Sequence, residues 1–186
     1  MAVFSRAISV EMDWINDASF EIRGTLDDNV HSLRARFVVS FPGYVITEAT
    51  GEITRMPYDG FCQGALDVLP LFINERVGRG FRKRASEIVG GAASCNHLHT
   101  LITDMAACAF QMNYMAIKQR PDGEAAIRAV SDDPARRRQM VIGWMPQLRN
   151  TCFTFSEAAD PLFERAARDA GAKEDSETGA DDGKIL

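Results

Sequence analysis

Residues 31–41 (HSLRARFVVSF) set Leu33, Ala35, Phe37 and Val39 against Arg34, Arg36 and Val38. This alternation of period two predicts a strand with one face on a core and the other largely wet. Residues 5–14 and 18–26 carry similar β-rich patterning, and Ile15-Asn16-Asp17 between them supplies turn chemistry, so the two read as a hairpin. Pro42-Gly43 marks a further turn before a partner strand at 44–54. From about residue 60 the period becomes helical. CQGALDVLPLFI is kinked or broken at Pro70, and Val77, Phe81, Ala85 and Ile88 recur at three and four in a helix ended by Gly90-Gly91. Leu98, Leu101, Ile102, Met105, Ala106, Ala109 and Met112 share one stripe of a helix running from an N-cap at Ser94 to about Lys118. Arg120-Pro121-Asp122-Gly123 closes that unit, one or two short helices follow around Asp133-Pro134, and residues 150–155 read as extended.

These elements predict an α+β fold, an antiparallel sheet of about 3–4 strands in the first third packed by helices from the remainder. With 186 residues, one domain over 1–168 is the expectation, followed by an acidic disordered tail at 169–186. The tail carries a net charge of −4 of the chain's −5, which leaves a body at −1. A near-neutral body gives no footprint for nucleic acid. No apolar run approaches the length of a membrane span, and the start MAVFSRAISVEMDW lacks the pattern of a secretion signal. Both point to the cytoplasm, where Cys62, Cys95, Cys108 and Cys152 are expected as thiols.

Candidate chemistry gathers where elements meet. His31 opens a strand, Cys62 opens a helix after the sheet, and Cys95, His97 and His99 stand at a helix N-terminus, whose positive end favours thiolate. On helix geometry Cys95 and His99 share a face, and His97 points about 200° away from Cys95. If a metal is bound, the expected set is Cys95 with Cys62 and His31, with Asp27, Asp28 or His99 in the remaining position. The plainer alternative is that Cys95, beside Leu98 and Ile102, is a small buried hydrophobe. Cys108 reads as core, and Cys152 as structural. No CxxC, HExxH, GxSxG or glycine-rich phosphate loop is present.

Several runs carry a resemblance. Arg23-Gly24-Thr25-Leu26-Asp27-Asp28, Arg55-Met56-Pro57-Tyr58 with Cys62, Gly78 and Gly80-Phe81-Arg82, Gly90-Gly91 with Ser94-Cys95-Asn96-His97-Leu98, and Asn150-Thr151-Cys152 together resemble the bacterial family DUF2889 over about residues 5–155. That resemblance implies relatives without implying a reaction. The order strand, turn, strand, Cys62, helix, helix, Cys95, long helix is also similar to iron–sulfur scaffold proteins of the NifU/IscU type. Such a likeness implies three cysteines and an aspartate or histidine around a zinc or cluster site at one end of the sheet. Cys62 and Cys95 match two of the cysteine positions. The first cysteine is replaced by the segment Asp27-Asp28-Asn29-Val30-His31, and Ser94 stands where many scaffolds have histidine. Oxygen and nitrogen ligands harden a site and shift its preference toward zinc or ferrous iron with an open position.

The leading expectation is therefore a Zn- or Fe-dependent enzyme acting on a small organic substrate. His31, Cys62, Cys95 and Asp28 would hold the metal, and Tyr58, His97 or His99 would orient the substrate. The alternatives are a carrier or assembly factor that hands a metal or iron–sulfur cluster to a partner enzyme, and a metal-free binding module. An exposed sheet edge also makes a homodimer plausible.

Overall fold

Alternation dominates the first third of the chain. In the computed structural model, which describes residues 3–91, 94–166 and 168, it yields four strands. These are β1 (Arg6–Asn16), β2 (Ser19–Asp28), β3 (Ser32–Ser40) and β4 (Ile46–Arg55). They form an antiparallel sheet in sequential order, with Gly24 opposite Ala35 and Ala35 opposite Gly51. On one face Phe20, Ile22, Leu26, Leu33, Phe37, Val39 and Ile46 are almost fully buried. Asp28 continues that same row of β2 and is buried at the end of the sheet.

Among the described residues the chain then forms five α-helices. They are α1 (Phe81–Val89), α2 (Asn96–Ala109), α3 (Gln111–Lys118), α4 (Pro121–Ala129) and α5 (Pro134–Trp144), of which α1 and α2 cover the sheet. Leu98, Leu101, Ile102, Met105 and Ala109 form the buried stripe of α2. The helix approaches β2 so closely that a Cβ on Gly24 would sit 2.7 Å from Met105 and 2.8 Å from Leu101. At Gly51 a Cβ would meet the Arg34 carbonyl and Leu69, each at 2.8 Å. Gly24, Ala35 and Gly51 thus make a lane of small residues across the sheet, into which α2 and the segment Cys62–Phe72 settle.

The α+β expectation holds, while several boundaries differ. Cys62–Phe72 is a 3-10 helix; Gly64 and Pro70 weaken an α-helix there, and burial of Leu69 and Phe72 follows the three-residue period. Residues 74–77 do not join α1. They lie along the start of β4, with Val77 N–H donating to the Tyr44 carbonyl and Arg76 bridging Val45. The helix expected from Ser94 to Lys118 starts at Asn96 and is interrupted at Phe110. Pro121-Asp122-Gly123, expected to close the preceding helical unit, instead opens α4, because proline suits a first turn and Asp122 and Glu124 lie there. Asp133 caps α5 by accepting from the Arg136 N–H.

The chain groups into two compact units, the first over residues 1–112 and the second beginning at 113. Within the second, residues 150–155 form turns and a short 3-10 helix, where an extended segment was expected. Asn150 takes a left-handed φ of 59°, its N–H donates to the Phe155 carbonyl, and Arg138 donates to the Thr154 and Ser156 carbonyls. The loop closes on itself. The expected acidic tail at 169–186 lies outside the described residues.

Candidate metal centre

The turn from β2 to β3 is organised by one carboxylate. Asp28 Oδ1 accepts the backbone N–H groups of Val30 at 2.8 Å and His31 at 2.7 Å, and lies 3.2 Å from His31 Nδ1. Its Oδ2 accepts Arg6 Nε at 2.9 Å and Nη2 at 2.6 Å. Burial by itself raises the Asp28 carboxyl, yet these backbone and side-chain donors outweigh it and hold the group well below the usual carboxylate range. Asp28 is therefore a buried anion with every lone pair committed, and it orients His31. Asp27, the neighbouring alternative, faces the other way and pairs with Arg55 at 2.8 Å.

His31 meets α2 through His97. Their rings stack with centroids 3.8 Å apart at 30°. One ligand atom from each of Asp28, His31 and His97 can be chosen so that all lie within 4.8 Å of one another. Burial, followed by the positive charges of His31 and Arg6, pushes the His97 pKa below its usual value, which favours the neutral, ligating form. Cys95 Sγ approaches His97 Nδ1 at 3.7 Å.

That last contact reverses an expectation. Helical geometry through residue 95 sends His97 away from Cys95, but Cys95 is the extended N-cap residue, with φ −109° and ψ 121°, and the helix begins one residue later. The 200° separation therefore does not apply, and His97 joins Cys95 and His31. His99 takes the other side of α2, where its Nε2 lies 2.9 Å from Ser86 Oγ. This hydrogen bond ties one of its two ring nitrogens to α1.

Cys62 and Tyr58 stand across a surface hollow of about 640 Å³ whose wall includes Phe61, Ala65, Ser94 and Cys95. Ser94 Oγ is buried there with no hydrogen-bond partner among the described residues. The structure thus joins Asp28, His31, His97 and Cys95 in one chain of contacts and places Tyr58 and Cys62 with Cys95 on the hollow, while Asp27 and His99 are turned elsewhere. Cys108 is half-buried in α2, where burial and the nearby Asp104 raise its thiol pKa, and Cys152 is exposed.

The sheet, the turn at Asp28–His31, the hollow and the start of α2 all fall in a segment that matches a family model. The match covers residues 4–111, more than half of the chain, and the model is described as Protein of unknown function (DUF2889). The chain belongs to the DUF2889 family. The DUF2889 match ends next to the boundary of the first compact unit, and it leaves Asn150-Thr151-Cys152 outside. No curated protein and no solved structure matches the chain. Every residue of the DUF2889 candidate site lies within the matched segment.

A second hollow, of about 540 Å³, lies on the open face of the sheet above Gly24, Ala35 and Gly51. Its arginines are already engaged: Arg23 with Glu11, Asp13 and Glu21, Arg36 with Glu21 and Glu48, and Arg34 with Glu52. No free cluster of one sign remains there to attract a charged ligand. Among the described residues no helix is long and apolar enough to cross a membrane.

Proposed function

We propose that the first unit binds one transition-metal ion, zinc or ferrous iron, through His31, His97 and Cys95, with Asp28 orienting His31 from behind. The observation that carries this reading is the convergence of Asp28, His31 and His97 within 4.8 Å at one end of the sheet, with the Cys95 thiol 3.7 Å from His97. Tetrahedral geometry with Zn–S of about 2.3 Å and Zn–N of about 2.05 Å sets sulfur and nitrogen roughly 3.6 Å apart. The Cys95–His97 separation is 3.7 Å, so this edge of a coordination sphere is nearly formed. The rings, stacked at 3.8 Å, would have to shift to converge on a common ion. The Asp28 carboxylate already holds Arg6 and three donors from Val30 and His31, so it supports the ligand His31 better than it serves as a ligand.

Three protein ligands leave a position for water or substrate, the arrangement of catalytic rather than structural sites. The hollow beside Cys95, lined by Tyr58 and Phe61, is where a small organic substrate would sit. In this reading the ion polarises the substrate or activates water, and Tyr58 contributes a hydroxyl. The free thiols fit a reducing cytoplasm. One observation favours a second reading: Cys62 and Cys95 share the hollow, and a pair of thiolates suits a metal or iron–sulfur carrier that docks to a partner enzyme.

Metal analysis of protein purified without an affinity tag separates these readings from a metal-free binding module. The expected result is close to one equivalent of zinc or iron, lost in His31→Ala and His97→Ala variants that keep the wild-type far-ultraviolet spectrum. A labile visible chromophore after anaerobic preparation would favour the carrier. Less than about a tenth of an equivalent of any transition metal under gentle handling would remove both metal readings.

A further inference from the structure

The two sides of the sheet end differently. β4 is flanked by the segment Cys62–Phe72, and its start is bridged by Arg76 to Val45. β1 pairs with β2 on one side and, among the described residues, with no strand on the other. Proteins commonly blunt such an edge with proline, lysine, a mid-strand bulge or an inward-pointing charge. β1 has no proline or lysine, and its register with β2 is regular from Arg6 to Trp14. After Arg6 its core-side residues are all apolar: Ile8, Val10, Met12 and Trp14. The last three pack only partly against the core, and Ile8 is 37% exposed.

We infer that β1 pairs antiparallel with β1 of a second copy of this chain, about a two-fold axis through Val10, so that two sheets become one. A two-fold axis perpendicular to the sheet keeps core-side residues facing core-side residues, and the strand's own sequence then decides the register. An axis through Glu11 opposes Glu11 to itself, and one through Met12 opposes Glu11 to Asp13; both set like charges face to face. An axis through Val10 opposes Val10 to Val10, Ile8 to Met12, Ser9 to Glu11 and Ala7 to Asp13. On the core side Ile8, Val10 and Met12 meet only apolar residues, Arg6 faces Trp14, and no like charges face one another. An axis through Ser9 also avoids charge conflict, but it shortens the overlap, which then runs from Arg6 to Met12 instead of from Arg6 to Trp14. The strand is complementary to itself, which is what an isologous interface requires and a foreign strand need not satisfy. With the axis at Val10 the overlap ends at Arg6, the residue that holds Asp28, so the interface reaches the edge of the candidate metal centre.

Light scattering coupled to gel filtration of the full chain, together with cross-linking, tests this inference. The wild type is expected at twice its 20.6 kDa mass, and Ile8→Lys at the monomer mass with an unchanged far-ultraviolet spectrum. Facing Cα atoms in an antiparallel pair lie roughly 4.5–5.5 Å apart, within disulfide range. In a Cys152→Ser background, which removes the exposed native thiol, Val10→Cys is expected to give a reducible covalent dimer under mild oxidation, and Glu11→Cys is not. A wild type that stays monomeric at the highest concentration reached, or cross-linking at position 11 in place of 10, would overturn it.

Discussion

A carboxylate on the core side of a strand is costly unless it is fully partnered, and Asp28 shows what full partnering looks like. Its five donors convert a liability into a fixed anion that aims an imidazole. Asp28→Asn preserves shape but removes the charge opposite Arg6, and it should weaken metal affinity about ten- to a hundredfold, as loss of an orienting carboxylate does. Competition with a chromogenic chelator measures this; affinity unchanged would show that His31 needs no carboxylate behind it. At Gly51 the constraint is steric. Its new Cβ would press on the Arg34 carbonyl, which cannot rotate aside as a side-chain tip can. Gly51→Ala should therefore cost about 1–3 kcal/mol in urea unfolding.

Among the elements, the central strands carry a ladder of charge on their open face, in which Glu21 bridges Arg36 and Arg23. Hydrogen bonds from Arg36 and then Arg23 lower the Glu21 pKa against the opposing effect of burial. A depressed folded-state pKa contributes stability that is present above the unfolded value of 4.5 and lost as pH falls through the lower folded value. The wild type should therefore lose more stability than Glu21→Gln between neutral pH and the acid side of that value. Urea midpoints compared at the two pH values give the result, and parallel losses would contradict the assignment. The alternation that buries Leu33, Ala35, Phe37 and Val39 was legible in the sequence, because a period of two leaves only two phases and one of them exposes the apolar set. The start of α2 was less legible. Serine is the better cap by side-chain chemistry, so residue 94 was the natural choice, yet the helix begins after Cys95, which has no side-chain cap bond. A helix turns about 100° per residue, so displacing its start by a single position was enough to hide the meeting of His97 with Cys95. The turn at Asp28 could be read as a polar cluster from its residue types, whereas its bond pattern required the register of β1, which brings Arg6 opposite Asp28.

For the whole molecule, the family match and the first compact unit end within a residue of each other, at 111 and 112. The described core of the sheet, α1 and α2 lies within that unit. Residues 1–112 produced alone should fold cooperatively and retain the metal stoichiometry of the full chain; a fragment that fails to fold, or folds without binding, would place part of the determinant after residue 112. The most direct test of the central claim is a cobalt(II) titration of the reduced full chain followed by visible and near-ultraviolet absorption. One ion held by two imidazoles and a thiolate predicts saturation at one equivalent, ligand-field bands of low-coordinate cobalt, and a sulfur-to-cobalt charge-transfer band that disappears in Cys95→Ser. No saturable spectrum, or a charge-transfer band that survives Cys95→Ser unchanged, would contradict it.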